Sequence, residues 1–327
     1  VQAEVEMTAI ETDGLTKRFG DVVAVDDVDL QVEEGEVFGF LGPNGAGKST
    51  TINMLLDFAR PTEGSATVLG YDAQDEAEQI HRRVGVLPEG FDLYERLSGR
   101  KHVAFAMKTK DVDGDPDAIL RRVGLSDEDA RRPAGDYSKG MRQRLAFGMA
   151  LVGDPDLLIM DEPSSGLDPT GINEMQELVR EETERGTTVF FSSHILEHVE
   201  EICDRVGIMN RGALVAVGTL DELHDRIGGD ATLELDLDDV PQRAVDDLPA
   251  IDGVTGAERS DGTVVVRCAA PTAKAEAINR VEAAGATVLD IRVEDRSIDE
   301  LFEHLTGAGE PTSETVDGDA LETEVPA

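Results

Sequence analysis

The segment Gly42-Pro43-Asn44-Gly45-Ala46-Gly47-Lys48-Ser49-Thr50 constrains the fold of this chain more than any other. It carries the spacing G-x-x-x-x-G-K-[ST], preceded by the mostly apolar run Glu36 to Leu41 and followed by the apolar-rich stretch Ile52 to Phe58. The first run reads as a buried strand and the second as a helix. Strand, glycine loop and helix together are the context in which this spacing has a physical meaning. The glycines let backbone N–H groups turn inward around phosphate oxygens, and the helix N-terminus adds its partial positive charge. Lys48 is then placed to reach β- and γ-phosphates, and the Ser49 hydroxyl to ligate Mg²⁺. The chain is expected to bind a nucleoside triphosphate.

A second apolar strand, Leu157 to Met160, ends in Asp161-Glu162-Pro163. A carboxylate at a buried strand's end can hold a magnesium shell, the role expected of Asp161. Glu162 can polarise an attacking water as a general base. A helix around Ile172 to Arg185 precedes a third strand, Thr187 to Ser192, which leads to His194. Apolar strands separated by helices imply a parallel α/β sheet covered on both faces. Ala9 to Thr12 and Val28 to Val32 read as short strands upstream, and residues from about Leu97 to Pro155 as mostly helical.

Past Gly228-Gly229-Asp230 the texture changes. Strands at Thr232 to Leu237, Val254 to Glu258, Thr263 to Arg267 and Thr287 to Val293 alternate with helices at Gln242 to Leu248 and Thr272 to Ala284. That βαββαβ order suggests a small α+β, ferredoxin-like domain. Ser297 opens a last helix, Ile298 to Leu305, with Glu300 as its capping-box partner. From Gly307 an acidic tail is expected to be disordered. The division is therefore 1–228, with helices at about 90–155, then 229–306 and 307–327.

Charge narrows the partners. Among 327 residues, 69 acidic ones against 30 basic ones, seven of them lysine, give a net charge of −39. Such a field repels nucleic acid and anionic lipid, and both are discarded as direct ligands. It also suits concentrated salt, where the Debye length falls to about 3 Å at 1 M. A halophilic origin is the expectation. No run of apolar residues reaches the 18 or so of a membrane helix, so the chain is expected to be soluble. Cys203 and Cys268 form no spacing motif and read as reduced, packed thiols.

The segment Asp136-Tyr137-Ser138-Lys139-Gly140-Met141-Arg142-Gln143-Arg144-Leu145 resembles the signature motif of ABC ATPases, in the form common among ABC-2-type exporters of sodium, drugs and glycans. Ser165-Gly166-Leu167-Asp168-Pro169 is similar to the family's D-loop, Ser192-Ser193-His194 to its H-loop, and Val84 to Glu89 to its Q-loop. Phe19 falls where the adenine-stacking aromatic lies. The resemblance covers roughly residues 8 to 228. It implies the ABC-type P-loop fold, a mixed sheet plus a helical subdomain.

The resemblance further implies a homodimer in which each ATP lies between the P-loop of one subunit and Ser138, Lys139 and Gly140 of the other. Ser138 also suits a plain helix N-cap. Glu162, His194, Lys48, Glu89 and Asp168 are the expected catalytic residues. Ser49, Asp161 and Glu89 are the expected Mg²⁺ contacts. An integral-membrane permease is the implied partner, its coupling helix docking near Gly90 to Arg100, with the chain peripheral on the cytoplasmic face. Glu89 departs from the family's usual Gln and adds negative charge. Tyr137, Lys139 and Met141 depart from the commonest signature. His194 is expected to bond the γ-phosphate and attacking water and His198 to be structural; a rival reading, set below this, joins the two as an i, i+4 metal pair on one helix face. Another is a soluble ABC ATPase of translation or DNA repair, although the single P-loop and the lack of a long coiled coil argue against it.

Overall fold

The computed structural model describes residues 7–227, 231–238, 242–260, 262–269 and 271–294. Strands β1 (Thr8–Phe19) and β2 (Val22–Glu33) form a long antiparallel hairpin. They are 12 residues each, far longer than the sequence suggests, because several register shifts let the alternation slip without ending the pairing. Next come β3 (Val37–Leu41), α1 (Lys48–Leu55), β4 (Glu63–Val68), β5 (Tyr71–Asp72), α2 (Ala77–Arg83) and β6 (Val84–Leu87). The helix after the glycine loop starts at Lys48, four residues before the expected Ile52, because Gly47 takes up the turn at φ 111°.

Four helices follow as expected: α3 (Gly99–Lys110), α4 (Pro116–Arg122), α5 (Asp127–Arg131) and α6 (Lys139–Ala150). Ser98, Asp115, Ser126 and Ser138 cap them by accepting backbone N–H bonds. Their buried face, including Val103, Leu120, Leu145 and Phe147, shares one core with Leu158, Met160 and Phe191 of the sheet.

Strand β7 (Leu157–Asp161), α7 (Pro169–Glu184), β8 (Thr188–Ser193), α8 (Glu197–Glu200), β9 (Arg205–Asn210) and β10 (Ala213–Gly218) complete the sheet. The helix expected from Ile172 begins at Pro169, since Asp168 caps it and proline suits its first turn. The six strands lie in the order β10-β9-β3-β8-β7-β6, all parallel except β10, which pairs antiparallel with β9. A second, antiparallel sheet has the order β2-β1-β4-β5. Phe38, Phe40 and Phe190 pack in the core beside Ile10, Leu15 and Met54. The sheet is therefore mixed.

After α9 (Leu220–Ile227) come β11 (Ala231–Leu237), α10 (Gln242–Asp247), β12 (Val254–Ser260), β13 (Thr263–Cys268), α11 (Pro271–Ala283) and β14 (Val288–Glu294). They form an antiparallel sheet of order β12-β13-β11-β14. The βαββαβ sequence and this order are those of the ferredoxin-like α+β arrangement. Leu233, Leu235, Val264, Val266, Ala277 and Val281 make a separate core. The helix expected at Ile298–Leu305 and the acidic tail lie outside the described residues. No helix among the described residues is long and apolar enough to cross a membrane. Cys203, half-buried, and Cys268, buried, are thiols not joined in a disulfide, as expected.

Candidate functional site

Parallel pairing lines up four strand ends on one edge of the six-stranded sheet. Leu41 pairs with Ser193, Asp161 with Ser192, and Leu87 with Met160. Because the neighbours run β3-β8-β7-β6, the residues that leave them, Gly42, His194, Glu162 and Pro88-Glu89, stand in a row. The carboxyl edge of a parallel sheet is where open α/β folds hold ligands.

The glycine loop is shaped by contacts behind it. A Cβ on Gly47 would lie 2.4 Å from the Ala24 carbonyl oxygen, and one on Gly42 would lie 2.5 Å from that of Met209. Gly212 N–H donates to the Ala46 carbonyl at 2.8 Å, so the β9–β10 turn props the loop from below. On the other side nothing lies within 4 Å of a Cβ built on Gly45, which leaves its backbone open. Phe19 ends β1, in the same hairpin as Ala24. Its ring is 54 % exposed, with the Lys17 ammonium 4.9 Å from its centroid. An exposed aromatic ring on this hairpin suits stacking on a flat base.

Lys48 is 5 % exposed and donates to the Gly42 carbonyl at 2.6 Å. Its ammonium also lies 3.2 Å from Glu162 Oε1. The contact is an ion pair without directed geometry, so Oε1 is a buried acceptor left without a hydrogen bond. Glu162 Oε2 meets His194 Nδ1 at 2.8 Å. Ser192 Oγ donates to Asp161 Oδ1 at 2.5 Å and accepts the Glu162 N–H at 3.0 Å. One serine thus orients both neighbouring acids. Glu162 itself adopts a left-handed backbone, φ 49°, which costs a residue other than glycine about 1 kcal/mol.

Glu89 lines a cleft of about 570 Å³ with Glu162, Lys139, Gln143 and Ser165. Ser138 caps α6, accepting the Met141 N–H at 3.2 Å, and Tyr137 anchors that turn from within by donating to the Asp129 carbonyl at 2.5 Å. Ser138, Lys139 and Gly140 line a second cleft with Gly166, Leu167 and Asp168. No hydrogen bond or ion pair among the described residues joins them to residues 42–50 of the same chain. Nothing lies within 4 Å of a Cβ built on Gly140, so that backbone is open to an approaching group. Asp168 Oδ1 accepts the Gly171 N–H at 2.9 Å as the cap of α7.

The paired-histidine reading is corrected. His194 precedes α8 and bonds Glu162, whereas His198 lies within α8 and its Nδ1 meets Ser164 Oγ at 2.8 Å. The two do not share a helix face, and no group of three metal-binding side chains occurs among the described residues. Sequence reading missed Ser192 as the bridge between acids and Gln143 as a tie from α6 to the Pro163 carbonyl, 2.6 Å. A serine paired across from a strand-end acid was the only signal for the first.

The residues present fit a magnesium-bound triphosphate. The glycine loop is open at Gly45, Lys48 and the orphaned Glu162 Oε1 lie together, and Ser49 and Asp161 carry oxygens that would suit the ion. Mg²⁺ characteristically takes only one or two carboxylates when phosphates provide other ligands.

A family model described as "ABC transporter" matches residues 25–165. The chain is 36 % identical over 311 residues to the daunorubicin resistance ATP-binding protein DrrA3 of Streptomyces coeruleorubidus, spanning 92 % of this chain and 96 % of that one. It is 35 % identical over 306 residues to the bacitracin transport ATP-binding protein BcrA of Bacillus licheniformis, spanning 92 % and 98 %. A solved ATP-binding subunit of an ABC transporter superposes with a TM-score of 0.61 at 31 % identity, covering 68 % of this chain and 94 % of that one. A dimeric bacterial ABC transporter cassette matches with a TM-score of 0.59 at 25 % identity, covering 64 % and 98 %.

Proposed function

Because this chain belongs to the ATP-binding proteins of ABC transporters, we propose that it hydrolyses ATP between two copies of itself to drive export through a separate membrane permease. The observation that carries this reading is the convergence of Lys48, Asp161, Glu162 and His194 along one sheet edge, beside a glycine loop with an open backbone.

In this reading the N–H groups of Gly45 and of Gly47 to Thr50 bind the phosphates, and Phe19 stacks on the adenine. Lys48 turns from Glu162 toward the β- and γ-phosphates. Glu162, released from that ion pair, accepts a proton from the attacking water, and His194 holds the carboxylate through Nδ1. Ser49 and Asp161 would hold Mg²⁺, with Glu89 near its shell, and the bound ion would supply positive charge against the phosphates. Ser138, Lys139 and Gly140 of the second copy close over the γ-phosphate, using the free N–H groups at the start of α6. Asp168 lies on the same face as those residues and acts across the dimer.

Residues 1–228 form the nucleotide-binding part and 229–306 an accessory domain. The relatives named for daunorubicin resistance and bacitracin transport support an exporter, held peripherally on the cytoplasmic face by its permease. The acidic balance supports a salt-rich cytoplasm. Purification in mild detergent tests the partnership. A polytopic membrane protein should co-purify with the chain, whereas recovery with ribosomes or DNA and no membrane protein would contradict it.

A further inference from the structure

The left-handed backbone of Glu162 is held from several directions, as strained residues at functional sites must be. Ser192 holds its N–H, and its carbonyl accepts the Ser165 N–H at 3.0 Å. The next two residues are held from opposite elements. Gln143 on α6 donates to the Pro163 carbonyl, and Ser164 Oγ bonds His198 Nδ1 on α8. Ser164 is buried, 5 % exposed, so its hydroxyl has little access to water as an alternative partner. Burial pushes His198 below the ordinary imidazole value, with Glu197, Glu162 and Glu201 opposing the shift and His194 adding to it. In its Nε2–H tautomer the neutral ring accepts a hydrogen bond from the Ser164 hydroxyl at Nδ1.

We propose that His198 is a positioning residue for hydrolysis: by holding Ser164 it fixes the turn that aims the Glu162 carboxylate. It touches neither nucleotide nor water. Its effect is geometric, since a shift of about 1 Å at a reacting group can cost up to 10²-fold in rate. The inference rests on the reading of Glu162 as general base. It also gives the Gln143 bond a purpose, because the same turn is gripped from the signature helix on its other side.

The test is a cycle of Ser164→Ala, His198→Ala and their double variant, with Ser164→Thr, His198→Gln and Glu162→Gln run in parallel. For each, kcat, KM for ATP and the thermal midpoint are measured in concentrated KCl. Each alanine variant is expected to lower kcat about tenfold with KM nearly unchanged, a fraction of the limit that misplacement sets. The double variant should lose no more than the worse single one, and Ser164→Thr, which keeps the hydroxyl, should recover most of the loss. Multiplying losses in the double variant, or a kcat that falls only with the folded fraction, would overturn the proposal. Should His198→Ala fail to fold, the Ser164 pair and His198→Gln decide alone, with unchanged kcat in Ser164→Ala as the contrary result. Turnover untouched by Glu162→Gln would instead overturn the reading beneath it.

Discussion

The Lys48 ammonium lies 3.2 Å from the Glu162 carboxylate, with 5 % of one side chain and 7 % of the other exposed. Under the proposed mechanism, the cation that would meet phosphate and the base that would meet water neutralise each other inside the protein. Burying either alone would be costly, and their pairing keeps both in place. A triphosphate offers Lys48 more negative charge than one carboxylate does, so in the proposed mechanism nucleotide entry and release of Glu162 would be one event.

Lys48→Ala is expected to abolish measurable ATP binding. It also leaves Glu162 with His194 alone, which should destabilise the apo protein by about 3 kcal/mol, the scale of breaking a buried ion pair. Fluorescent-nucleotide titration and denaturant unfolding check the two effects separately. Normal affinity would remove the glycine loop from the mechanism.

Gly47→Ala should be nearly as damaging, without removing any charge. At φ 111°, with its Cβ 2.4 Å from the Ala24 oxygen, alanine must shift the loop or the β2 backbone. A destabilisation of about 1–3 kcal/mol is expected from the strain, with strongly weakened ATP binding. Unfolding curves and the same titration measure both.

Stability should carry the imprint of His198. Its native pKa lies below the ordinary value of 6.5, chiefly through burial. The unfolded chain then binds the proton first as pH falls, so stability is lost from 6.5 down to the lower native value and regained as pH rises back to 6.5. His198→Gln removes that contribution. Unfolding midpoints between about pH 7 and pH 5 should fall less steeply in the variant than in the parent.

Salt should stabilise the fold. A charge of −39 repels itself across a screening length of about 30 Å at 0.01 M and about 3 Å at 1 M. The thermal midpoint is expected to rise steadily from about 0.1 M to about 2 M KCl. Full stability at the lower concentration with no gain at the higher would contradict a salt-adapted origin.

The candidate site was legible where its chemistry is contiguous. Gly42 to Thr50 and Asp161-Glu162 announce themselves because backbone geometry and charge act over a few successive residues. The C-terminal βαββαβ order was legible too, since its strands alternate cleanly. The length of β1 and β2 was not, because bulges interrupt the period on which alternation depends. The hairpin β9–β10 escaped notice, although Met209 and Gly212 shape the loop from behind. Ser192, Gln143 and Ser164 act through space, across separations in sequence of 20 to 34 residues, and no local pattern marks such bonds.

The most direct measurement is phosphate release from Mg-ATP in concentrated KCl, comparing the parent chain with Glu162→Gln while light scattering reports the mass of each. The parent should turn over, and the variant should hydrolyse at least about 10²-fold more slowly while persisting as an ATP-bound dimer. Equal turnover in the two proteins, or a variant that stays monomeric with saturating ATP, would contradict the mechanism.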